Sequence, residues 1–155
     1  MDTTISSQPK SFEEALQLVQ GSPSLRKIKS FLDNSDLSAD LKALLYDVAK
    51  VSVKIGEAVV AIGRRIFEIA SILGSKFPNL TIGTLVGLTV AAVISSTLGT
   101  VPVIGVGLAA ILSKLVVLLG VGKGFIDDLR NNAARTEMDR VSAQFNALGM
   151  GFVKT

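Results

Sequence analysis

No charged residue occurs between Pro78 and Ser113. All 13 acidic residues lie outside a wider window, Ile69 to Ile126, whose only charges are Lys76, Lys114 and Lys123. A surface helix or half-exposed strand needs a polar face, and this stretch has none. The whole chain follows the same trend: 48% of residues are hydrophobic and 19% charged, with a mean hydropathy of +0.51. That is too apolar for a disordered chain.

The window divides at Gly99-Thr100-Val101-Pro102. Asn79 to Leu98 and Val103 to Gly122 each run for about 20 residues, roughly 30 Å as helix and thus about one bilayer thickness. Alternation of period two is absent, and Pro102 stands where the first turn of a second helix tolerates proline. The sequence therefore predicts a hydrophobic helical hairpin over 78–124 with its tip at Gly99, Thr100, Val101 and Pro102. The apolar positions expected to face lipid are Leu80, Ile82, Leu85, Leu88, Val93, Ile94 and Leu98 in the first arm. In the second they are Val103, Ile104, Leu108, Ile111, Leu112, Leu115 and Leu118. The competing expectation is a core hairpin buried in a helical bundle.

Around the hairpin the signals are amphipathic. Met1 to Lys10 reads as a flexible polar arm. Ser11 and Glu14 have capping-box spacing ahead of a helix from Phe12 to Gln20, which Gly21 ends. Ser22-Pro23 opens another helix reaching about Asn34, and Asp33 to Asp36 is a polar turn. Ser38 is placed to cap the next helix. Leu41, Leu44, Val48, Val51, Ile55, Val59, Ile62, Ile66, Ile69 and Leu73 alternate spacings of three and four, predicting one long helix through Gly56 and Gly63 as far as Pro78. Its stripe is expected to pack on the hairpin or neighbouring helices, the alternative being a partner helix or a membrane-surface helix. Gly124 to Phe145 reads as a single polar C-terminal helix with a weak apolar stripe of Ile126, Leu129, Ala133, Val141 and Phe145, and a short apolar tail follows it. The segments are then 1–10, 11–77, 78–124 and 125–155, in an all-α fold.

The chemistry available is narrow. Histidine, cysteine and tryptophan are absent, so no imidazole, thiolate, zinc-finger site or disulfide exists. Asp127 and Asp128 are adjacent and point about 100° apart on a helix, which suits a charged stop and not a catalytic pair. Gly120-Val-Gly-Lys-Gly124 lacks the full phosphate-loop spacing. No enzymatic role, cofactor or metal is expected. Basic residues are not interleaved with aromatics, so no nucleic-acid partner is expected either, despite a formal charge of +3.

Other features fit a membrane. Gly83-x-x-x-Gly87 and Gly120-x-x-x-Gly124 have the spacing of close helix packing in lipid. Lys76 and Phe77 flank one base of the hairpin. Lys123, Phe125, Asp127 and Asp128 flank the other. With Arg64, Arg65 and Lys76 at one base, Lys123, Arg130 and Arg135 at the other and an uncharged tip, the positive-inside rule puts both termini on the cytoplasmic side. No secretory leader or lipidation motif is read at the N-terminus. Lys114, past the middle of the second arm, is the candidate for a lumen-lining charge or a charge paired with a partner.

Thr100-Val-Pro-Val-Ile-Gly105 and Leu118 to Asn132, with Gly120, Gly124, Ile126, Asp127, Asp128 and Asn131, resemble the C-terminal hairpin of pore-forming colicins. The resemblance spans Asn79 to Ala133 and implies a helical hairpin that enters membranes. The chain continues past Ile126-Asp-Asp, where that family stops. The sequence thus leads to a membrane-inserting, oligomeric hairpin protein that forms a pore or remodels a bilayer. The alternative is a non-enzymatic structural subunit of a large membrane-associated or viral assembly, its hairpin buried against neighbours.

Overall fold

Eight α-helices, one short antiparallel strand pair and one 3-10 turn make up the described part of the chain. This computed structural model describes residues 11–55, 57–121, 123–132 and 134–153. The expected arm, Met1 to Lys10, lies outside them. The order is α1 (Phe12–Gln20), α2 (Leu25–Asp33), α3 (Ala39–Ala49), β1 (Val53–Ile55), β2 (Ala58–Val60) and α4 (Ile62–Lys76). Then come α5 (Ile82–Ser95), the 3-10 turn Thr97–Thr100, α6 (Pro102–Leu119), α7 (Lys123–Asn131) and α8 (Arg135–Val153).

Hydroxyl side chains fix where four of these helices begin. Ser11, Ser24, Ser38 and Thr81 each accept the backbone N–H three residues on, satisfying a donor the helix cannot use itself. Helix α1 matches its expected bounds. Helix α2 starts at Leu25, not at Ser22-Pro23, because Ser24 is the residue that caps it.

The long helix expected across Leu41 to Leu73 does not form. It is two helices, α3 and α4, separated by the strand pair. Val53 pairs with Val60, Lys54 with Val59 and Ile55 with Ala58. The β-branched run around Val51-Ser-Val favours extended backbone, and the pairing reverses the chain so that α4 folds back onto α3. Gly63 permits that return. A methyl group there would overlap the Val48 carbonyl oxygen, while the Gly63 N–H donates to the Val51 carbonyl at 2.8 Å. The apolar stripe still points inward, apart from Val51, which is half-buried, and Val59, which is 71% exposed.

The C-terminal region is likewise two helices. Helix α7 ends at Asn131, and α8 begins at Arg135. Helix α8 buries Met138, Val141, Phe145, Ala147 and Leu148, so the apolar stripe expected through Val141 and Phe145 faces the core.

Helix α5 forms the centre. It contacts α3, α4, α6, α7 and α8, and every residue from Gly83 to Val93 is buried. An apolar helix with no polar face is stable in water only when covered on all sides, and these neighbours cover it.

Candidate functional site

The hairpin exists as α5 and α6 packed together, but its arms are shorter than expected. Thr81 caps α5 so that it starts at Ile82. At its other end the Ser96 hydroxyl donates to the Val93 carbonyl at 2.6 Å, and the chain passes into the 3-10 turn. Helix α5 has 14 residues and α6 has 18, about 21 and 27 Å. Among the described residues no single helix is long and apolar enough to cross a membrane. One bent pair, Ile104–Leu119 with Gly124–Asn131, meets both criteria but turns by 104°.

The predicted lipid-facing side chains mostly face protein in this conformation. Leu85, Leu88, Val93, Leu98, Ile104, Leu108, Leu112 and Leu115 are buried, and Leu80, Ile82, Ile94 and Ile111 are half-buried. Leu118 is exposed at 42%. The Val103 side chain lies outside the described set.

Helix α6 therefore has two unlike sides. Ile104, Leu108, Leu112 and Leu115 recur at helical spacing and pack inward. Val106 at 72%, Val117 at 77%, Leu118, Ala109 and Ala110 lie on the uncovered side. Lys114 is exposed among them and enters no ion pair among the described residues.

The packing glycines split into two kinds. Added Cβ atoms at Gly83 and Gly87 would meet the Leu119 and Leu115 side chains at 2.7 and 3.4 Å, so both serve the α5–α6 approach. Gly120 and Gly124 do not form a packing face. Gly120 ends α6 in the left-handed conformation at φ 70°, which glycine adopts freely, and Gly124 lies in the first turn of α7 beside open space.

The tip is not a free end. Gly99 and Val101 are half-buried, Thr100 and Pro102 are exposed, and the 3-10 turn packs on α8. The flanking charges are also engaged. Lys76 donates from Nζ to Glu137 Oε1 on α8 at 2.9 Å, so it is a structural clasp and not a free interfacial cation. Phe77 is half-buried against the core, whereas Phe125 is 43% exposed. Asp127 is half-buried. Asp128 is exposed and accepts from Asn132 Nδ2 at 2.7 Å. The Lys123 side chain lies outside the described set.

Two further links escaped the sequence reading. Arg65 is buried, pairs with Glu68 and donates from Nη2 to Gln144 Oε1 at 2.6 Å. Its position was readable, since it falls three residues after Ile62 and so on the apolar side of α4. Arg130 on α7 donates from Nη1 to Ser95 Oγ at 2.5 Å and to the Ala91 carbonyl at 3.5 Å, placing a cation at the C-terminal end of α5. It stands at the edge of a cavity of about 500 Å³ lined by Ala91, Ile94, Leu112, Val116 and Asp127.

Among the described residues no group of three or more carboxylates could hold a metal ion. The Lys29 ammonium is held above its ordinary value by the hydrogen bond to Asp33 on α2. Comparison with protein families, with curated proteins and with solved structures gives no match.

Proposed function

We propose that this chain is a membrane-inserting helical-hairpin protein, in which α5 and α6 enter a bilayer and permeabilise or remodel it as an oligomer. The observation that carries this reading is α5 itself. It is an uncharged helix wrapped by helices that do have polar faces, next to a second apolar helix left uncovered on its outer side. The same bundle that hides α5 in water releases it when its other helices spread on a lipid surface. In lipid, the 3-10 turn joining α5 as regular helix would give Ile82–Thr100, about 28 Å and close to the hydrocarbon thickness. The likeness to colicin hairpins in the Asn79–Ala133 stretch supports the same reading. Both termini are assigned to the cytoplasmic side, and no catalysis, cofactor or nucleic-acid partner is assigned.

Release of a trapped dye from lipid vesicles tests this. The reading expects release that rises with protein concentration. No release, with no protein floating with the vesicles, overturns it. A structural-subunit role is favoured by a different observation, that both arms as folded fall short of a bilayer. That role expects a stable assembly and intact vesicles.

A further inference from the structure

A groove of about 540 Å³ runs between α3 and α6. Its apolar lining is Ala43 and Leu44 from α3 with Val117 and Leu118 from α6. Asp40 and Asp47 line it from α3, seven residues and so about two turns apart. Lys114 lines it from α6. Lys114 and Asp40 enter no ion pair among the described residues, and Asp47 meets only Lys50, at 3.3 Å on the surface. The apolar strip continues along α6 to Val106.

Acid on one helix, an apolar floor and base on the other make a self-complementary surface. A second copy turned over by a two-fold axis brings its base onto this acid and its apolar floor onto this one, twice per interface. Two carboxylates on the rim repel an anionic lipid leaflet or a nucleic acid, so the charge pattern selects a protein face of the same kind.

We infer that the α3–α6 groove is the interface of a two-fold dimer of this chain in water, with Lys114 set against Asp40 and Asp47 of the partner subunit. This does not rest on the membrane reading. It gives Lys114 a partner and covers the exposed Val117 and Leu118. The pairing is reciprocal, so one substitution removes two contacts.

Sedimentation in lipid-free buffer tests it, with circular dichroism as the check on folding. The wild-type chain sediments at twice 16.2 kDa. Lys114→Glu raises the dimer dissociation constant by roughly tenfold or more, since it sets like charges together. Asp40→Lys with Asp47→Lys does the same. Combining all three substitutions restores the dimer with the charges exchanged. A wild-type monomer, an oligomer indifferent to Lys114→Glu, or a triple variant as weak as the single one overturns the inference.

Discussion

Arg65 on α4 reaches Gln144 on α8 through a 2.6 Å hydrogen bond that spans 79 residues of sequence, and both side chains are buried. The Arg65 Nε and Gln144 Nε2 atoms have no partner among the described residues. The link therefore runs through one strong, charge-assisted bond. Gln144→Leu leaves a buried guanidinium short of an acceptor, and unfolding by urea should show a loss of about 1–3 kcal/mol. Adding Arg65→Met should cost less than the sum of the two single changes, because the cation needing an acceptor has then gone.

Gly63→Ala should be among the most harmful small changes in the chain. Its methyl group meets the Val48 carbonyl and the Ala49 backbone, which do not yield as a side-chain tip would. A cost of about 1–3 kcal/mol is expected from overpacking. Gly107→Ala is the control. A Cβ there meets nothing within 4 Å on α6, so stability should rise by about 0.5–1 kcal/mol. Denaturant midpoints compare the two directly.

The tip must cross the hydrocarbon if the hairpin spans. Thr100→Asp with Val103→Asp should add about 2.5–3.5 kcal/mol per charge at the bilayer centre. Vesicle leakage should fall away while helicity in water is retained. Leakage equal to wild type would mean that the tip never enters.

Lys114 controls ion preference if the inserted helices surround water. A ring of ammonium groups favours anions, so Lys114→Glu should turn that preference toward cations in planar bilayers. If Lys114 snorkels to the interface, Lys114→Leu should leave conductance unchanged.

The sequence pattern located the hairpin because absence of charge is unambiguous over so long a run. It located α1 and α3 because Ser11 and Ser38 are strong caps. It failed between Leu41 and Leu73 for a specific reason. Val51, Ile55 and Val59 satisfy helical spacing, yet the β-branched residues around them also satisfy a strand pair. The tertiary contact at Gly63 decides between them, and periodicity does not register it. The lack of a polar face on α5 was legible, but it led to an expectation of lipid where the structure surrounds the helix with protein. That α6 would be covered on only one side was not legible, because both arms look alike in composition and the neighbours that cover α5 come from distant segments.

Depth of a tryptophan in the bilayer tests the central claim most directly. The chain has no Trp, and Ile94 is half-buried beside the cavity between α5, α6 and α7, which has room for a larger ring. In a helix from Ile82 to Thr100 this position lies three residues from the middle, or about 4.5 Å along the axis. With vesicles whose acyl chains carry bromine at graded depths, Ile94→Trp should be quenched most strongly by bromines near the bilayer centre. Fluorescence unchanged from that in buffer, or quenching only by shallow bromines, would contradict insertion of the hairpin.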